Sequence, residues 1–165
     1  MEEEKVFSDL RDFGMINYEI YLNDGATSLT EIASRIGTKY DTKNEIELQS
    51  KTLEYLFPLL QSGKIKASVS YLNERHPTEV DKRKHGRNLE DKPMYFLDNT
   101  KIYNDSSQSK EAIEDIRTRW ASYKVKEDII HDMINASEED RQAWTIRSTF
   151  EQLAVLFALP ESECF

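Results

Sequence analysis

The chain has 165 residues, of which 38% are hydrophobic and 32% charged, and its formal net charge is −9 at pH 7. That length fits one domain, and aromatic residues at 10% can fill a core, so the composition excludes a wholly disordered chain. The charge disfavours unaided binding to nucleic acid, because phosphates repel carboxylates. It would attract a basic partner, although it would also simply keep a small domain soluble.

The residues that bear on cellular location are few. Cys164 is the only cysteine, so neither an intramolecular disulfide nor a Cys-x-x-Cys redox or metal motif is present. Residues 1–5 are acidic where a signal peptide needs positive charge. The longest apolar stretch, 153–159, is too short to cross a bilayer. These features predict a cytoplasmic protein with no membrane association.

A short amphipathic helix is predicted at 3–13, where Val6, Leu10 and Phe13 recur at helical spacing. Residues 17–22 fit either a helical turn or a strand, because so short a segment does not distinguish the period of a helix from that of a strand.

Two helices are then predicted, and each begins with the Ser/Thr-x-x-Glu pattern of a capping box. One opens at 27–31 and is closed by Gly37, and the other opens at 42–45 and is closed by Gly63. Pro58 lies inside the second helix and should bend its last turn or end it early. The residues predicted to face a core are Leu29, Ile32, Ala33 and Ile36 in the first helix and Ile46, Leu53, Leu56, Phe57 and Leu60 in the second.

Two strands are predicted after these helices. Residues 64–71 alternate apolar with polar side chains, which predicts a half-buried strand with a solvated basic and polar face. Residues 94–97 and 101–103 are apolar and flank an Asp-Asn-Thr step, so they predict a second strand or a hairpin. The polar stretch 73–93 is predicted to be one long loop, which becomes an oversized wing if the two strands pair.

From residue 106 onward the pattern is helical. Its apolar stripes consist of Ala112, Ile113, Ile116 and Trp120, then Val125, Ile129, Ile130, Met133 and Ile134, and finally Trp144, Ile146, Phe150, Leu153, Leu156 and Phe157. Pro160 should end the last helix.

These elements predict a single domain over 1–165 of the α+β class, mainly helical. A part spanning 27–103 would contain a small antiparallel sheet of two or three strands, and a part spanning 106–160 would pack on it as a helical hairpin or triplet.

No catalytic constellation is recognisable in the sequence. His76, His85 and His131 share no spacing typical of a metal site. Carboxylate pairs such as Glu114 and Asp115 lie mostly at helix starts, and a glycine-rich phosphate loop and a nucleophile elbow are both absent. The chain is therefore predicted not to be an enzyme and to bind neither a cofactor nor a metal.

One basic cluster, 82–87, could contact phosphates or could be a solvated segment whose charges are offset by acidic neighbours. One acidic patch is the candidate surface for binding a partner. Its members are Asp128, Asp132, Glu138, Glu139 and Asp140. Asp128 and Asp132 are four residues apart, so a helix would place them on one face. The last three carboxylates would alternatively just favour a helix start.

Residues 53–67 resemble the helix-to-strand step of winged-helix modules, in which a Leu-Leu-x-x-Gly-x-Ile pattern is common, and the order helix, helix, strand is also that of such modules. In a DNA-reading module the second helix should offer basic or amide side chains to the bases. Here its exposed face carries Glu45, Glu47 and Glu54, which would repel DNA.

A small, acidic, cysteine-poor chain without catalytic motifs is similar in character to the immunity proteins of bacterial polymorphic and contact-dependent toxin systems. That resemblance implies a cytosolic protein that binds one cognate toxin, here a basic nuclease, and blocks it. Two alternatives stay open. One is a winged-helix transcriptional regulator that uses 82–87 on DNA, and the other is an acidic phage-type antagonist of a nucleic-acid enzyme.

Overall fold

The computed structural model describes residues 14–42, 44–86, 89–120 and 134–165. Within these ranges the chain is α+β, with six α-helices, one 3-10 turn and a four-stranded antiparallel sheet. The predicted helix at 3–13 lies outside the described residues. None of the described helices combines the length and apolar character needed to cross a membrane.

The elements follow one another in a mixed order. In sequence they are α1 Met15–Leu22, β1 Thr27–Ser28, α2 Leu29–Tyr40, α3 Glu45–Gln61, β2 Lys66–Arg75, α4 Glu79–His85, β3 Met94–Tyr103, the 3-10 turn Ser106–Gln108, α5 Ser109–Trp120, α6 Glu138–Ala154 and β4 Val155–Ala158. The ambiguous segment 17–22 is therefore helical.

Helix α2 begins where predicted, because the Ser28 hydroxyl accepts a hydrogen bond from the Glu31 N–H at 3.2 Å. It does not stop at Gly37 but continues to Tyr40. A Cβ at Gly37 would lie 3.4 Å from a methyl carbon of Leu48 in α3, so this glycine serves the close packing of two helices rather than a helix end.

Helix α3 differs from its prediction at its start, whereas it ends as predicted, at Gln61 shortly before Gly63, whose φ is +70°. Its cap is Asn44 rather than Thr42, since the Asn44 side chain accepts from the Glu47 N–H at 3.1 Å. The helix also runs past Pro58 to Gln61. Leu59 and Leu60, on the far side of the proline, are both buried, and their burial offsets the lost backbone hydrogen bond.

The sheet has the strand order β1-β4-β2-β3, so the last strand in sequence lies inside the sheet. Phe157 is opposite both Thr27 and Ala67, and Val155 is opposite Val69. The prediction that the last helix continues to Pro160 was therefore wrong beyond Ala154, as was the limit of two or three strands. Val155–Ala158 is a short apolar run, which fits a buried strand as well as a helix, and tertiary pairing decides between them.

The stretch 73–93, predicted to be a loop, contains regular structure. β2 extends to Arg75, which pairs with Met94 at the start of β3, and α4 occupies part of what remains. β3 is one strand rather than a hairpin, although Asn99 has a φ of +54° and the register with β2 shifts near it.

One hydrophobic core lies between the sheet and helices α1, α2, α3 and α5. Its most deeply buried large side chains are Phe157, Ile16, Leu29, Ile32, Ile36, Leu56, Ile116, Val69 and Val155. The stripe predicted for α5 is buried in full, and every core position predicted in α2 is buried. Ile46 was expected in the core, but its side chain is 80% exposed.

The C-terminal helices pack on different partners. α5 packs against α3, whereas α6 packs against β2 and β3. Among the predicted stripe residues, Val125, Ile129, Ile130 and Met133 lie outside the described residues, and the side chains of Trp144, Ile146 and Phe150 in α6 are not described. Ile134 and Leu153, also predicted on a stripe, are exposed.

The face of β2 predicted to be solvated is buried instead. Lys66, Ser68 and Ser70 are all buried from solvent. The packing of α6 against this strand and the fold-back of the chain end, described below, account for the difference.

Candidate partner-binding surfaces

The acidic patch predicted from sequence is described only in part. Glu138, Glu139 and Asp140 form the exposed first turn of α6, while Asp128 and Asp132 lie outside the described residues. The Ser137 hydroxyl caps the helix by accepting from the Asp140 N–H at 3.2 Å and donates to the Asp140 carboxylate at 2.9 Å. Asp140 thus helps to cap the helix, which agrees with the alternative that these carboxylates favour a helix start.

Glu138 and Glu139 differ from Asp140, because neither makes an ion pair or a side-chain hydrogen bond within the described part of the chain. Their exposed carboxylates complement the positive end of the α6 dipole. They are also available to a cation from outside the molecule.

An open groove of about 830 Å³ runs between α3 and α5. Its walls are one flank of each helix, with residues at helical spacing. They are Ile46, Gln49, Ser50, Leu53, Glu54, Phe57 and Pro58 from α3 and Lys110, Ile113, Glu114 and Arg117 from α5. The middle of the groove is apolar and its rim is charged. Ile46 also lines a second, smaller recess with Glu47 and Lys51.

The charges around the groove are only partly compensated. On α5 the Arg117 guanidinium pairs with the Glu114 carboxylate, and on α3 the Lys51 ammonium lies 4.0 Å from the Glu47 carboxylate. Glu45 and Glu54, both exposed, make no ion pair with any described residue. Of these α3 residues only Glu54 lines the groove itself, where the α5 wall contributes Lys110, Glu114 and Arg117.

Arg75 holds the β2–β3 connection to the sheet. Its guanidinium donates to both carboxylate oxygens of Asp98 at 2.7 Å and to the Asp81 carboxylate at 2.7 Å, and it lies 4.2 Å from the centre of the Phe96 ring. Arg75 is the first cause of a lowered pKa at both Asp81 and Asp98. Thr78 and Asp81 form a capping box that starts α4.

This arrangement corrects the prediction for the basic cluster 82–87. Residues 82–85 lie on α4, Arg87 is not described, and the Lys82 ammonium lies 3.8 Å from the Glu79 carboxylate. Residues 82–85 of the cluster thus lie on a short helix, with acidic neighbours, rather than in a loop.

Asp115 joins α5 to the sheet. Its two carboxylate oxygens accept hydrogen bonds from the Tyr71 and Tyr103 phenols, the second at 2.6 Å. The bond to Asp115 is the main cause of a raised pKa at Tyr71, and burial is the main cause at Tyr103. The Arg119 guanidinium lies 5.5 Å from the centre of the Tyr71 ring. No open groove leads to this cluster among the described pockets, so it fits a structural role.

Lys66 anchors the end of the chain. This lysine is only 5% exposed, and its ammonium donates to the backbone oxygens of Ser162 and Phe165. The thiol of Cys164 lies against Gly25, where an added Cβ would come within 2.9 Å of the sulfur. The segment after β4 is therefore fixed on the sheet by a buried cation with backbone acceptors.

The described histidines do not converge on a site. His76 contacts the Asp91 carboxylate at 3.1 Å, both side chains are exposed, and His131 lies outside the described residues. No group of three potential metal ligands occurs among the residues searched, which are the described ones.

Comparison with protein-family models, with curated proteins and with solved structures finds no match to this chain.

The groove is the surface that the sequence reasoning missed. Helical periodicity placed Ile46 in the core, yet Ile46 stands between Glu45 and Glu47 in the first turn of α3. An apolar residue flanked by two carboxylates at a helix start is a signal for exposure, and it could have moved Ile46 from the core to the surface.

Proposed function

We propose that this protein is a non-enzymatic immunity protein of the bacterial cytoplasm, which binds one cognate toxin, a basic nuclease, and neutralises it. One observation carries this function: the exposed carboxylates of Glu138 and Glu139, in the predicted acidic patch, have no ion-pair partner within the described chain. Asp128 and Asp132 remain predicted members of the same acidic surface.

Uncompensated carboxylates favour a basic partner for two physical reasons. They raise the rate of encounter with a positively charged protein, and they specify which surface it meets. Affinity then comes mainly from a few apolar or aromatic anchors near the centre of an interface. A molecule with net charge −9 supplies the first part of this scheme, and exposed Ile46 supplies an anchor.

A nuclease is the basic toxin that fits best. Its active surface must attract phosphates, so it carries Lys and Arg. An inhibitor that presents carboxylates competes for those same cations. A nuclease bound in this way loses access to its substrate without any chemical step by the inhibitor.

The test first asks whether a toxin-like reading frame lies next to the gene for this protein, and then uses the product of that frame. Nuclease activity should fall stoichiometrically as the protein is added. The variant Glu138→Lys/Glu139→Lys should inhibit less, and the matched variant Glu161→Lys/Glu163→Lys, which reverses two other exposed carboxylates, should inhibit as the wild type does.

Two results would point to the alternatives. Binding of random duplex DNA that weakens steeply with salt would favour the regulator that uses 82–87, whereas the immunity protein should not bind DNA even at low salt. Inhibition of many unrelated nucleic-acid enzymes would favour the phage-type antagonist, which imitates DNA rather than fitting one toxin.

A further inference from the structure

Residues 160–165, which we call the latch, follow β4 and fold back onto the start of β2. The Lys66 ammonium donates to the backbone oxygen of Ser162 at 2.5 Å and to that of Phe165, and it lies 5.2 Å from the centre of the Phe165 ring. Lys66 is 5% exposed and makes no ion pair with a described Asp or Glu side chain. One buried ammonium therefore holds the latch through backbone acceptors and a ring face.

The latch also contacts the turn between α1 and β1. Gly25 has a φ of +116°, and a Cβ added there would lie 2.9 Å from the Cys164 Sγ and 4.0 Å from the Ser162 Oγ. Glycine suits this position both because of its φ angle and because the latch approaches it closely. In contrast, the side chains of Glu161 and Glu163 are exposed. The latch thus has one side against the molecule and one side in water.

The strand ladder ends just before the latch. Ala158 is the last residue of β4 that pairs with β2, and Leu159 packs against the core. Pro160 has no N–H with which to continue the ladder. The Ser162 N–H donates to the Leu159 oxygen at 3.0 Å and closes a turn. A rotation in this turn would move the latch and leave β4 in its place.

The buried ammonium lowers the free energy needed to open the latch. Closing removes water from Lys66, and the desolvation of a cation offsets much of the energy of the hydrogen bonds that replace that water. Closing also costs the conformational entropy of the segment. Opening returns both, while core side chains such as Val155 and Phe157 stay buried. A local opening of this kind requires less free energy than unfolding of the whole domain.

We infer that residues 160–165 form a latch that opens and closes while the sheet stays folded, and that Lys66 is its catch. The open state exposes the Lys66 ammonium and the α1–β1 turn at Gly25, both of which the closed latch contacts. The inference is independent of the proposed function, because the contacts that carry it do not involve the start of α6.

The test is limited proteolysis of the full chain with a glutamate-specific protease, followed by mass spectrometry. Cleavage after Glu161 or Glu163 requires the latch to leave the sheet, because a protease binds its substrate as an extended chain. A free peptide of residues 157–165 gives the rate for an open latch. We expect the protein to be cut there at least about tenfold more slowly than the peptide, and at least about tenfold faster than after Glu54 in α3. Urea below the global transition should change the latch rate by less than about twofold.

Three variants test the catch. Lys66→Met removes the ammonium and keeps an unbranched side chain, and cleavage of the latch should become about tenfold faster or more, because two backbone acceptors lose their donor. Lys84→Met removes an exposed lysine on α4 and should leave the rate within about twofold. Phe165→Ala removes only the ring and should raise the rate about threefold, measured against a peptide with the same change.

Three results would overturn the inference. Cleavage of the latch that matches cleavage after Glu54 in rate and in urea dependence would show that the latch opens only with the whole fold. A wild-type rate equal to that of the peptide would show that the latch is not closed in solution. An unchanged rate in Lys66→Met, or in Phe165→Ala if Lys66→Met does not fold, would remove Lys66 as the catch.

Discussion

The two sides of helix α5 differ in whether their side chains have partners within the molecule or face an open groove. On the side that faces the sheet, polar groups are sequestered and satisfied, because Asp115 accepts from the phenols of Tyr71 and Tyr103. On the side that faces α3, Lys110, Glu114 and Arg117 line an open groove, and Ile46 of α3, whose side chain is exposed, lies on the opposite wall.

One side of this helix therefore contributes to the stability of the fold, and the other side is available for recognition. A satisfied polar cluster stabilises the native state and offers nothing further to bind. An open groove leaves apolar surface in contact with water, which costs the free molecule free energy that a partner covering the groove would recover. Substitutions on the sheet side should therefore change stability, and substitutions on the groove side should change binding.

The largest effect is expected where the sheet meets the core. Phe157→Ala removes a fully buried side chain from the central strand β4 and should cost about 3–5 kcal/mol of unfolding free energy. Thermal denaturation should show a drop in Tm of roughly 6–20 °C. Leu153→Ala, four residues earlier and exposed, should stay within about 0.5 kcal/mol of the wild type. Equal losses of unfolding free energy from the two substitutions would contradict the position of β4 inside the sheet.

The next effect tests the polar cluster. Asp115→Ala leaves the Tyr103 phenol, at 4% exposure, without its acceptor and should cost about 1–3 kcal/mol in urea denaturation. The Tyr71 phenol is less buried and can recover a water. Glu114→Ala, the adjacent residue on the groove side, should change stability by less than about 0.5 kcal/mol. A larger loss of stability from Glu114→Ala than from Asp115→Ala would contradict the structural role given to the sheet side of α5.

A smaller effect should appear at alkaline pH. The pKa values of Tyr71 and Tyr103 are raised in the folded protein, so both states keep neutral phenols below about pH 10 and the stabilisation is complete there. Above that pH the unfolded state ionises first, and stability falls as pH rises. Urea midpoints measured between about pH 9 and 11 should fall more steeply for the wild type than for Tyr71→Phe. Parallel curves would exclude a role for the Tyr71 phenol.

The smallest effect on stability is expected at Ile46. Ile46→Glu should change the unfolding free energy by no more than about 0.5 kcal/mol, because the side chain makes little contact in the free protein. A destabilisation above about 2 kcal/mol would mean that Ile46 is a core residue after all.

Much of the layout could be read from local sequence. Capping residues and apolar stripes located α2, α3 and the start of α5, since these signals lie within one or two turns of the chain. β4 could not be located in this way, because Val155–Ala158 is too short to show a period and its partners are Thr27 and Ala67, far away in sequence.

The same distinction between local and long-range signals applies to the candidate binding surfaces. The carboxylates at the start of α6 were recognised because their signal is local. The groove could not be, since it exists only where α3 and α5 pack together, more than 50 residues apart in sequence. Arg75, which orders the stretch once taken for a loop, depends likewise on Asp81 and Asp98 from other elements.

The central claim is that the exposed, unpaired carboxylates of Glu138 and Glu139, at the start of α6, bring a basic toxin to this protein. The most direct measurement is the association rate constant with the cognate nuclease, in stopped flow, at low and high salt. We predict a fast rate that falls at least about tenfold at high salt and falls similarly for Glu138→Lys/Glu139→Lys, while Glu161→Lys/Glu163→Lys stays near the wild type. A rate that responds neither to salt nor to Glu138 and Glu139 would contradict the claim.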